Sequence, residues 1–162
     1  MAASLQLSVR TGSGAGAFTD GVSGVDMISA DNALNSLANR QANPITVGGY
    51  SYEKWLALKV VTAPANSTSG FKIWGDGAVA ASSTLWFTGN YATYQQGTTA
   101  ASTIANTSFT NFTSGNKANW DTGTYSMTGS YTKYSVWQLQ IGADSNPGNW
   151  TTETVSYSFD ET

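Results

Sequence analysis

The stretch YSYEKWLALKVVTA, residues 50–63, decides the fold. Tyr50, Tyr52, Leu56, Leu58 and Val60 share one parity, with Lys54 the exception, while Ser51, Glu53, Trp55, Ala57 and Lys59 share the other. A period of two predicts a long strand with one greasy face. Trp55 sits on the more polar of the two faces. It therefore either packs in a second layer or meets a partner.

Working outward, the same alternation recurs. Leu5, Leu7 and Val9 read as a first strand, FKIW (71–74) and TLWFTG (84–89) as two more. KYSVWQLQIGA (133–143) sets Trp137, Leu139 and Ile141 against Gln138 and Gln140, and ETVSYSFDET (153–162) alternates Val155, Tyr157 and Phe159 with small polar residues. PANSTSG, GDG and DSNPGN punctuate these strands with residues that favour turns. Weaker strands are expected around residues 103–104 and 108–112, a short one at VDMIS (25–29), and a flexible glycine-rich connection over 11–24. Only residues 29–43 admit a helix, with Ser29 as a cap and Leu34 and Leu37 at i, i+3 spacing; Pro44 ends it. Short strands without a sustained helical period predict an all-β protein, a single-domain β-sandwich of jelly-roll-like or Ig-like type spanning residues 1–162. Residues 29–49 form either an arm or a short helix.

Composition narrows the function. The chain has 162 residues, of which only 10% are charged, against roughly 25% in an average globular protein. Hydroxyls and amides must therefore form most of the surface. Seven basic residues scattered along an acidic chain do not make the clustered patch that nucleic acid needs, nor one that suits an anionic membrane. No apolar run is long enough to span a bilayer, and MAASLQLSVR lacks the basic start and apolar core of a secretory signal. The absence of histidine and cysteine removes histidine-based triads and thiolate or imidazole zinc sites.

Carboxylate chemistry fares little better. Glu153 and Glu161 are eight residues apart on one strand, which at ~3.3 Å per residue is far beyond a catalytic pair. GDG (75–77), near Asp31 and Asn32, lacks the spaced ligands of a calcium loop and reads as a tight turn. The Asn-X-Ser/Thr triplets at Asn66, Asn106, Asn111 and Asn149 are expected by chance in a chain this rich in those residues. No cofactor and no catalytic group is expected. The six tryptophans sort into Trp137, Trp74 and Trp86, placed within apolar runs and assigned to the core, and Trp55, Trp120 and Trp150, assigned to partner contact.

Two pieces, NSLANRQANPITVGGYSYEKWLALKV (35–60) and GNWTTETVSYSFDET (148–162), resemble small all-β virion proteins of tailed bacteriophages. The resemblance covers both flanks of the variable section 78–132. It implies a structural role, first a head decoration (cement) protein on the outer capsid surface, otherwise a tail, neck or fibre component. It further implies the major capsid protein or other virion proteins as partners, a homo-oligomer such as a trimer, and residence in the virion after synthesis in a host cytoplasm. The expected contact segment is 29–49, with Leu34, Leu37 and Ile45 as apolar anchors beside Arg40. A non-catalytic carbohydrate-binding module or adhesin is the competing reading; it needs Trp55, Trp120 or Trp150 in an open groove.

Overall fold

A computed structural model describes residues 2–77, 82–145 and 152–162. Its strands are β1 (Ser4–Thr11), β2 (Ala17–Asp20), β3 (Lys54–Thr62), β4 (Thr68–Gly75), β5 (Ser83–Tyr91), β6 (Thr107–Ser108), β7 (Ala118–Asp121), β8 (Tyr134–Ile141) and β9 (Val155–Glu161), with a short α-helix, α1 (Leu37–Ala42), and a single 3-10 turn at Phe109–Asn111, where a strand was expected, among the described residues. They form two antiparallel sheets, one of six strands in the order β2-β1-β3-β8-β5-β6 and one of three in the order β7-β4-β9. The protein is an all-β sandwich.

The strands with the clearest alternation fall where it predicts. β3 opens four residues later than its sequence pattern because residues 50–53 leave the β1 ladder, yet the chain still tracks β8: Ser51 N–H donates to the Leu139 carbonyl and Ile141 N–H to that of Gly49. Leu56 and Leu58 pack inward with Val9, Phe71, Ile73, Phe87, Phe109, Trp120 and Trp137 between the sheets, and Val60 on the same side of β3 is also fully buried. Burial of this apolar area is the dominant favourable term in folding.

Other segments depart from expectation. The glycine-rich connection is half of a hairpin, because Phe18 and Thr19 pair with Arg10 and Val9 across a turn whose glycines accept positive φ. Residues 25–29 form no strand, and neither do 103–104. β7 was not foreseen: its four residues are too few to show alternation, and they become a strand only by pairing with β4. The helix is shorter than predicted and its cap is Ser36, whose hydroxyl accepts from Asn39 N–H at 3.2 Å. Ser29 instead donates its backbone N–H to the Asn43 carbonyl.

The six-stranded sheet is covered on both sides. On its outer face Trp55, Ala57, Tyr134, Val136 and Ala105 make a second core, joined by Phe18, Trp86, Tyr91, Tyr94 and Tyr131. Trp55 meets Tyr91, Tyr94 and Tyr134 edge-on, with ring centroids 5.4, 5.3 and 5.6 Å away. Such pairs add to plain area burial. The second-layer alternative for Trp55 is the one realised.

Candidate interaction surface

Residues 24–49 connect β2 to β3 around one buried carboxylate. Asp26 Oδ1 accepts from the Arg40 guanidinium at 2.6 Å, and Oδ2 accepts from Ser36 N–H at 2.9 Å. Its side chain is 5% exposed, whereas that of Arg40 is 49% exposed. Asn39 is the second hub. Its amide exchanges two hydrogen bonds with the amide of Asn32, at 3.0 and 3.1 Å, donates to the Leu34 carbonyl, and accepts from Asn43. Asparagines disfavour helix interiors because their side chains compete for backbone groups. Here that competition closes the loop on itself.

The knot is tied to the sandwich at three points. Gly12 N–H donates to Asp31 at 2.8 Å, Tyr52 N–H to the Ile28 carbonyl at 2.7 Å, and the Lys54 ammonium to the carbonyls of Ala30 and Asn32 at 2.7 and 2.9 Å. Lys54, the exception on the greasy side of β3, is thus explained: the loop supplies polar caps for a buried amine. Burial lowers its pKa to about 8 despite the nearby Asp31 and Asp26 carboxylates. Val22, Val25, Met27 and Ala33 pack on the inner core, so the segment also closes an end of the sandwich.

Among polar neighbours the segment also leaves three large apolar side chains outside. Leu34 is 62% exposed, Leu37 50% and Val47 51%. Val47 sits on a turn in which Gly49 N–H donates to the Thr46 carbonyl and Gly48 takes φ +77, a conformation only glycine adopts freely. The expected anchors Leu34 and Leu37 are therefore available. Ile45 is half-buried, its Cγ2 tucked toward Gly49, and Val47 takes the exposed place. The Val-Gly-Gly run was the sequence signal for it, since such a turn lifts the residue before the glycines into solvent.

The tryptophans fall out almost in reverse. Trp55 and Trp120 are each 1% exposed, enclosed by the chain itself rather than presented on its surface. Trp55 is roofed by the aromatic residues of the second core. Trp120 lies on β7 facing the inner core, with its indole N–H on the Lys133 carbonyl at 3.2 Å. Trp150 lies outside the described residues. Trp137 is core, as expected, whereas Trp74 and Trp86 are half-buried on outer faces. Trp74 carries the Lys117 ammonium 4.2 Å above its ring. Trp86 donates to Gln140 at 3.0 Å and borders a cavity of about 240 Å³ with Tyr50, Ser102, Asn106 and Gln140.

Glu153 meets Asp76 of the GDG turn, its carboxylate lying over Gly75. Burial, and then the charge of Asp76, raise its pKa above the usual carboxylate range. Comparison with protein-family models, curated proteins and solved structures found no match for this chain.

Proposed function

We propose that the protein is a structural component of a tailed-bacteriophage virion, a head decoration protein that binds the outer capsid surface and stabilises the particle. The observation that carries this reading is the 24–49 segment. A loop pinned by Asp26, Asn39 and Lys54 holds Leu34, Leu37 and Val47 in water, which stabilises nothing in the isolated chain. A preorganised loop loses little entropy on docking, so even a small apolar contact yields useful affinity. Copies arranged on a symmetric shell multiply that affinity when they also contact one another. The role needs binding and no catalysis, and the major capsid protein is the partner it names.

Purified protein should add back to undecorated heads and raise their resistance to heat. The double variant Leu34→Ser/Leu37→Ser should keep its own stability within about 0.5 kcal/mol, since both side chains are exposed, and should lose shell binding by at least tenfold. Unchanged binding would remove the segment from the interface. Labelling of tail or neck in an image reconstruction would move the protein to that part of the virion.

The cavity beside Trp86 supports a second reading, a saccharide-binding module with an indole platform and amide rim. Glycan-array binding abolished by Trp86→Ala, with the fold retained, would select it over decoration.

A further inference from the structure

We propose that β9 is a self-pairing edge, through which two copies of the chain join antiparallel about Ser158 into one continuous sheet. In the three-stranded sheet β9 pairs with β4 on one side, and among the described residues no strand pairs with its other side. The remaining edge strands are short: β2 and β7 have four residues each and β6 has two, against seven in β9. Exposed edges are ordinarily guarded by lysine, proline or a bulge. VSYSFDE contains neither lysine nor proline, the one irregularity in its ladder with β4 lies between Ser69 and Lys72 on the β4 side, and Val155 and Tyr157 remain 40% and 38% exposed on it.

The hydrogen-bonding parity is set. Thr162 and Ser67 exchange both backbone bonds, at 2.9 and 3.0 Å, so even-numbered residues of β9 direct their amides to β4. The odd-numbered residues Val155, Tyr157, Phe159 and Glu161 direct theirs to the open edge. Charge then chooses direction and register. A parallel in-register pair would stack Asp160 and Glu161 on their own copies. An antiparallel pair centred on Tyr157 would set Glu161 against Glu153 of the other copy. Centred on Ser158, Glu161 faces Val155, Asp160 faces Ser156, and Tyr157 meets Phe159 twice across the two-fold. No like charges oppose, and two aromatic cross-strand pairs form. The same patch on both copies makes the contact isologous, which closes as a dimer. This symmetry differs from the trimer implied by the phage resemblance, and the inference does not depend on the decoration role.

The chain has no cysteine, so a single introduced thiol reports the register. Ser158 would face its own copy at a non-hydrogen-bonded position, with Cα atoms about 4.5 Å apart, within disulfide reach. Under mild oxidation Ser158→Cys should give a covalent dimer on a non-reducing gel, while Ser156→Cys, whose opposite residue is Asp160, should not. Ser158→Glu places a carboxylate beside Lys72 on β4 and against itself across the two-fold. It should shift the particle mass in light scattering from dimer to monomer while the melting transition of the fold is kept. A wild-type mass that stays monomeric at the highest soluble concentration, or equal cross-linking of both cysteine variants, overturns the proposal.

Discussion

The two faces of the six-stranded sheet solve the same problem by different means. On the inner side, Leu56 and Leu58 are covered by a second sheet, strands β4, β7 and β9, held together by the ladders of β4 with its two neighbours. On the outer side, Trp55 and Ala57 are covered by the chain between β5 and β6, which has no ladder. Its polar backbone must find partners one by one. Gln138, wholly buried on β8, serves three of them: its amide donates to the carbonyls of Thr98 and Ala100, accepts from Ser102 N–H at 2.7 Å, and also reaches the Ser51 carbonyl beside β3. Tyr94 adds a bond to the Gly12 carbonyl, and Thr88 one to that of Ile104. A sheet face needs apolar cover; it does not need a second sheet.

If the outer cover is a true second core, Trp55→Ala should cost about 3–5 kcal/mol in chemical denaturation, the range for emptying a buried tryptophan site. Trp120→Ala on the inner side should cost as much. A loss under about 1 kcal/mol at Trp55, against the full loss at Trp120, would make the outer layer a loose flap and break the comparison.

Gln138→Ala sharpens it. The substitution frees the Ser102 N–H and the Ala100 carbonyl of the cover and the Ser51 carbonyl beside β3, while the Thr98 carbonyl keeps the Glu53 N–H; water entering the gap relieves only part of that, so we expect a loss of about 2–3 kcal/mol. Hydrogen exchange should locate the damage. The amide of Ser102 should lose protection while the ladder amides of β4 and β9 keep theirs. Uniform loss across both faces would mean that the outer cover and the inner core open as a single unit.

This asymmetry also explains what the sequence makes legible. Alternation reports which side of a strand a residue takes, so β3, β5, β8 and β9 could be read directly. It does not report what covers that side. Trp55 admitted either a second layer or a partner because Ser51, Glu53 and Lys59 share its face, and its roof comes from Tyr91 and Tyr94, more than thirty residues away. Trp86 looked like core because Leu85 and Phe87 flank it, although neighbours in a strand point oppositely. The interaction surface was half legible. Leu34 and Leu37 stood out as apolar residues in a polar stretch, but the amide pairing of Asn32 with Asn39 is tertiary and leaves no periodic trace. Ser29 reads as the cap from its place before the apolar pair, but the observed cap is Ser36. Asp26, which accepts from Ser36 N–H, fixes the helix start there through a contact ten residues away that the local pattern does not show.

The smallest effect probes the one ammonium on the inner face. Burial holds the Lys54 amine at a pKa of about 8, against 10.5 for an ordinary lysine. Between those values the unfolded chain binds the proton and the folded chain releases it, so stability should rise with pH, by about 2 kcal/mol from pH 8 to pH 10. Above pH 10 the trend reverses. Burial raises the Tyr94 phenol from 10.0 to about 12 in the folded chain, so the unfolded chain loses that proton first and stability falls as pH climbs through this range. Lys54→Met keeps the apolar stem, removes the titrating group, and should lack the rise between pH 8 and pH 10 while sharing the fall that the phenols bring as pH approaches and passes 10. Denaturation curves for both proteins across the window decide the matter. Parallel curves would mean that the amine reaches water in the folded state. The inner face would then leak at the end that residues 24–49 close, and the outer cover, built without strands, would be the tighter of the two.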